Sequence, residues 1–364
     1  MGARRKVIGL STCGVLGIAA LVSYFKGGLH IRSDNNLPDF YYFNTKNINL
    51  SNEELLDEFT KLLENNEKLN HELDSVYTEI KDFILENGSY LDQEELLDTI
   101  SELEVVYEHK DENYIFSSSK ASDGYYTSIV GYYSFPENKI YFNKDIMDEM
   151  DDYFSNDNNE VKLHEVIHYM FFQGFCYSFW NINGRALSLD EGFTDIVTEE
   201  YGYDNIANEY DNCNYYTKAL CEIIGPEKYL EIYGNHDFTA FIDELSIYLD
   251  AGQANTLIDK IDEVFYEHSY QAKLEAWNLI EQAYYNKHNK TIDENNDLVM
   301  KYLRFKLNHT EEEYLDMKIE DMRLKKNYFV SKNDTSYVEI YTKDGIVDRI
   351  YLDDNNKVKT LRLN

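Results

Sequence analysis

The sequence predicts an α+β protein that is mostly helical. From residues 51 to 109, and again from 215 to 325, apolar residues recur at helical spacing. Between 114 and 143, and from 336 onward, the period changes to two, and aromatic and β-branched side chains dominate. Only 4 cysteines occur in 364 residues, which excludes a disulfide scaffold. A chain of this length buries a sizeable core and is expected to form two or three modules. The pattern changes divide it at 1–28, 29–112, 113–250, 251–326 and 327–364.

Residues 1–28 begin with Arg4, Arg5 and Lys6 and then run apolar for the nineteen residues 7–25, with no charge until Lys26. That length just spans a bilayer, and the preceding positive charges would keep the N-terminus in the cytoplasm. The expectation is a signal anchor whose N-terminal helix makes this a single-pass protein of the cell membrane, with everything after it extracytoplasmic. A cleaved signal peptide is the alternative. The formal net charge is −34, from 68 acidic against 34 basic residues. Such a charge argues against nucleic acid and against anionic membrane surfaces as partners.

Residues 29–112 form a helical region. Ser51 and Glu54 have the spacing of a capping box, followed by Leu55, Phe59, Leu62 and Leu63 at helix intervals. A second stripe holds Leu73, Val76, Tyr77, Ile80, Phe83 and Ile84 before Gly88, and a third holds Leu96, Leu97, Ile100, Leu103 and Val106. In 113–250, residues 125–134 and 140–142 flank a turn at 136–139 and read as a hairpin. Helices are expected next around 161–172 and from about 188, then over 215–224, from Pro226 with proline in the first turn, and over 237–249. Residues 251–326 continue helical over 256–286, 292–307 and 310–325. Residues 327–364 read as a small β-meander with strands 337–342, 346–352 and 358–363.

Two short segments carry chemistry. In His164-Glu165-Val166-Ile167-His168 the histidines stand one helical turn apart on one face, so two imidazoles can reach one metal ion with Glu165 close beside them. In Asp190-Glu191-Gly192-Phe193-Thr194-Asp195, Glu191 is the candidate third ligand. It follows His168 by 23 residues, enough chain to leave one helix near Gly174 and start another that points back. A catalytic zinc commonly takes three protein ligands and keeps a fourth position for water. Asp195, one turn beyond Glu191, could orient a ligand histidine from the second shell of the metal. Glu191 has a competing reading, since Ser188-x-x-Glu191 is also a capping box.

This pair of segments resembles the gluzincin branch of the zincin metallopeptidases, in which HExxH on one helix is followed by Glu-(Gly/Ala)-x-x-(Asp/Glu) on the next. The resemblance covers roughly residues 130 to 245. It implies a zincin-like catalytic domain with a small β-sheet, flanked by helical regions and the C-terminal β-meander. It also implies Zn2+ held by His164, His168 and Glu191, with Glu165 as general base and Asp195 in the second shell. The expected activity is that of an extracytoplasmic zinc metallopeptidase acting on peptide or protein substrates, with the hairpin edge aligning the chain to be cut. Gluzincins also use a side chain that bonds the oxyanion; Tyr201, Tyr215, Tyr216 and His236 are the candidates. The metzincin pattern fails, because residues 169–175 lack its glycine and third histidine in place. Two other functions fit the same residues: a non-catalytic zincin-fold surface module, and a zinc hydrolase of a non-peptide amide in the cell wall. Cys213 and Cys221 are near enough in sequence to bridge or to remain buried thiols.

Overall fold

The computed structural model describes residues 49–113, 130–134, 137–153, 157–171, 187–202, 211–267, 269–289, 297–308, 319–331, 335–342 and 345–359. These residues are mostly helical with two small sheets, an α+β composition. The chain folds as two units, Met1–Gln173 and Gly174–Asn364.

The first unit begins with α1 (Asn52–Asn65), α2 (Glu67–Leu73), α3 (Tyr77–Asn87) and α4 (Gln93–Ile100). Helix α1 starts at the capping box expected of Ser51. The Glu54 amide donates to Ser51 Oγ at 3.2 Å and the Ser51 amide donates to the Glu54 carboxylate at 2.9 Å. Its stripe of Leu55, Leu56, Phe59 and Leu63 is buried, and the helix packs on α3 and α4. Ser51→Ala should therefore lower the unfolding free energy by about 1 kcal/mol, seen as a lower urea midpoint with an unchanged slope.

The third stripe resolves differently from its helical reading. Helix α4 stops at Ile100, and strands follow as β1 (Glu104–Glu108), β2 (Gly131–Ser134) and β3 (Lys139–Asn143). Val105, Val106 and Tyr107 suit a pleated strand, and the deciding partner lies far along the chain: β1 runs parallel to β3, Val105 opposite Ile140 and Tyr107 opposite Phe142. Strand β2 pairs antiparallel with β3, so the order is β1-β3-β2 and β2 is an edge among the described strands. The pairing is that of the expected hairpin, of which residues 125–129, 135 and 136 lie outside the described residues. The Asn143 amide donates to the Val130 carbonyl at 2.7 Å. Bonded and non-bonded pairs alternate along an antiparallel ladder, so Tyr132 and Ser134 bond β3 whereas Gly131 and Tyr133 turn their backbone N–H and C=O away from it. Helices α5 (Lys144–Tyr153) and α6 (Asp157–Met170) complete the unit. Helix α6 packs on β2 and β3 and buries Leu163, Val166, Ile167, Tyr169 and Met170. Apolar side chains on nearly every side make it a core helix.

The second unit holds α7 (Leu187–Glu200), α8 (Asp211–Ile224), α9 (Pro226–Gly234), α10 (Phe238–Leu245), α11 (Ala251–Glu267), α12 (Tyr270–Lys287) and α13 (Leu298–Asn308), then β4 (Asp321–Lys325), β5 (Tyr337–Thr342) and β6 (Gly345–Tyr351). Proline opens α9 as expected, with Gly225 before it at φ +95°. The stretch 256–286 is two helices: α11 ends at Glu267, and Ser269 caps α12 by accepting the Ala272 amide. Helix α8 is central, packing on α7 and α9 through α13, so its polar side chains need internal partners. Lys218 Nζ donates to Glu199 at 2.7 Å. Glu222 accepts from the Tyr328 hydroxyl at 2.7 Å, from Asn356 Nδ2 at 2.8 Å and from Lys326. Glu200, at the end of α7, accepts the backbone amides of Tyr328, Phe329 and Val330; burial nevertheless pushes its carboxyl up to about 8. Two buried carboxylates thus pin the segment between β4 and β5 to the helices.

The C-terminal sheet is a meander in the order β4-β5-β6, shifted from the one expected. Its first strand is β4, at the end of the predicted helix 310–325, of which residues 310–318 lie outside the described residues; Val358 makes an isolated bridge to Leu352, and residues 360–363 of the expected strand also lie outside them. Met322 and Leu324 are buried between Asp321, Arg323 and Lys325, an alternation of period two that a short run shares with one face of a helix. Cys213 and Cys221 do not bridge; both are buried free thiols.

The localisation expectation needs correction. Residues 7–25, expected to anchor the chain, lie outside the described residues, and among the described residues no helix is long and apolar enough to cross a membrane. The structure therefore gives no support to a single-pass protein of the cell membrane, to the N-terminal helix as a membrane contact, or to an extracytoplasmic placement built on it.

Candidate metal centre

The two histidines of α6 stand as their spacing predicts. His164 Nε2 and His168 Nε2 are 3.1 Å apart, with ring planes at 71°, and the side chains are 6% and 2% exposed. Two ligands on a tetrahedral zinc, each bonded at about 2.05 Å, lie about 3.3 Å apart. The observed spacing is thus close to that of a chelating pair. A proton shared between the rings would give a similar distance, so the neighbouring carboxylates discriminate. Glu165 is fully buried, and its Cγ lies against the bare Cα of Gly131 on β2.

Helix α7 presents the second segment. Glu191 is fully buried and Asp195 nearly so. Ser188 lies inside α7 rather than before it, and its hydroxyl donates to Asp262 of α11 at 2.6 Å. The capping-box reading of Glu191 therefore loses its other half. Gly192 is dictated by packing. A Cβ there would stand 2.4 Å from both the Cys213 carbonyl oxygen and Thr217 Oγ1, so α7 and α8 meet backbone to backbone at this residue. Gly192→Ala should force the helices apart, at a cost of roughly 1–3 kcal/mol. Thermal melts of the purified protein measure this.

Cys213 follows from the same contact. Its thiol is pushed well up by burial and then by the carboxylates of Glu191 and Asp195, which places it beside them. Burial and the Cys213 thiol raise the Tyr216 phenol in turn. Tyr216, one of the four oxyanion candidates, lies buried about one turn along α8 from Cys213. Tyr215 turns the other way, edge-on to Tyr302 of α13 at 5.7 Å with Lys306 over its ring. Tyr201 follows the end of α7, and His236 follows α9 at φ +54°.

Among the described residues, one set of three candidate metal ligands places a donor atom of each within 4.8 Å of the others: His164, His168 and Glu191, all buried. Two imidazoles and one carboxylate suit zinc. The contact of Gly131 with Glu165, the packing of Cys213 against Gly192 and the hydrogen bond from Ser188 to Asp262 were not foreseen from the sequence. No protein-family model, curated protein or solved structure matches the chain. The gluzincin resemblance accordingly rests on the two sequence motifs alone.

Proposed function

We propose that the protein is a zinc-dependent metallopeptidase of gluzincin type, with a zincin-like catalytic region around α6 and α7. The observation that carries the reading is the buried set His164, His168 and Glu191, with Glu165 adjacent to His164 in the same helix. His164, His168 and Glu191 would hold the zinc, and Asp195 would help orient a ligand from the second shell. When bound, the metal supplies Lewis acidity, polarising a carbonyl and acidifying water. Glu165 takes the proton from the attacking water as a bond forms to the carbonyl carbon, and returns it to the nitrogen as the C–N bond breaks. Buried carboxylate oxygens make competent bases because little water competes for them.

A peptide is the substrate that the surroundings favour. Strand β2 is an edge among the described strands, Gly131 and Tyr133 aim backbone groups away from β3, and Gly131 touches Glu165. All four residues of β2 are buried, so an extended chain would run past the base along that edge only once the groups covering it have moved aside.

The test is metal analysis of the purified full chain followed by digestion of a proteome-derived peptide library, read by mass spectrometry. One equivalent of zinc, with cleavages absent from the Glu165→Gln control, is expected. Zinc-loaded, folded protein that cuts no peptide would overturn the peptidase reading.

A further inference from the structure

We propose that Gly131 is a positioning residue for Glu165: the missing side chain at this one place on β2 leaves the carboxylate its position. The inference rests on the role of Glu165 proposed above. A Cβ at Gly131 would stand 3.2 Å from Glu165 Cγ and 2.9 Å from Phe142 Cδ1, inside the ordinary carbon contact distance of about 3.5 Å. Glycine weakens a strand interior, and its presence there marks a close approach.

The neighbouring contact shows what a side chain on this face would do. Two residues along β2, Tyr133 points to the same side of the sheet as Gly131. Its ring packs edge-on against Tyr169, at 5.5 Å between centroids. Tyr169 is one turn of α6 beyond Glu165, and two strand residues advance about as far as one helical turn. Strand and helix therefore run in step, with Tyr133 filling the space at Tyr169 and Gly131 leaving it open at Glu165. Phe142, opposite Gly131 on β3, stands closer still and is itself buried, so its ring meets the added methyl group as well. Glu165 is fully buried in mid-helix and can give way only by turning its side chain. Displacement of a catalytic group by about 1 Å can lower the rate on the order of a hundredfold.

Crystal structures of the metal-free wild type, Gly131→Ala and Gly131→Ala/Phe142→Leu test the contact without reference to activity. Glu165 Cγ should move by a few tenths of an ångström or adopt another rotamer in both variants, with the α6 backbone in place. Glu165 superposing on wild type while Phe142 or β2 moves instead would overturn the proposal. In kinetics, Gly131→Ala in the Phe142→Leu background should lower kcat about tenfold, with KM and zinc content unchanged, and should lower it no further when Glu165→Gln is also present. The same loss persisting without the base would mean that Gly131 acts on the sheet alone. Should the single variant fail to fold, the Phe142→Leu background carries both comparisons. If Glu165→Gln is itself fully active, the hydrolase reading fails, and the crystal structures still decide the contact.

Discussion

For the proposed metallopeptidase, Glu165→Gln should keep zinc and hydrolyse peptides at least about a hundredfold more slowly than wild type, the lower end of what a positioned acid-base group contributes. The substitution changes one property at a time. Glutamine has nearly the size of glutamate, so the space beside Gly131 stays filled. His164, His168 and Glu191 are untouched, so metal content should match wild type. The amide cannot take a proton from water, and that single loss should appear in kcat. Glu165 is fully buried, so the fold of the variant has to be checked beside its rate. Unfolding of the metal-free variant at or above the wild-type midpoint, together with full zinc occupancy, would separate lost chemistry from lost structure. Equal rates for variant and wild type would remove Glu165 from the mechanism.

Features written within one or two helical turns were legible in the sequence. The Ser51 capping box, the proline at the start of α9 and the HExxH face all depend on residues at most four apart, and all three have the expected local form. Features set by distant partners were not. Leu103 and Val106 satisfy a helical stripe until β3 offers Val106 a parallel ladder, and residues 321–325 satisfy one until β5 does. Ser188 shows the same limit at the site, since its four-residue pattern reads as a cap, whereas Asp262 of α11 claims the hydroxyl. Gly192 was visible as a motif glycine, but its reason, contact with the Cys213 carbonyl, belongs to a helix crossing that no local pattern encodes.

Glu191→Ala should weaken zinc binding by more than about a hundredfold, beyond the 10- to 100-fold typical of losing an outer-shell partner, and activity should fall with it. The effect on stability separates the two readings of this residue. Were Glu191 the closing half of a capping box, its loss would destabilise α7 by about 1 kcal/mol whether or not metal is present. The Ser188 hydroxyl donates to Asp262 and Ser188 sits within the helix, so that loss is not expected. Glu191 is fully buried, so the readout that bears on its proposed role is the response to zinc rather than the metal-free melting temperature alone. The difference should appear on adding zinc: wild type gains about 2.7 kcal/mol at a hundredfold excess over its dissociation constant, and the variant gains almost nothing at the same concentration. Zinc titrations followed by calorimetry and by thermal melts measure both quantities on one preparation. Normal zinc affinity with a lower metal-free melting temperature would assign Glu191 to the helix and leave His164 and His168 in need of a different third ligand.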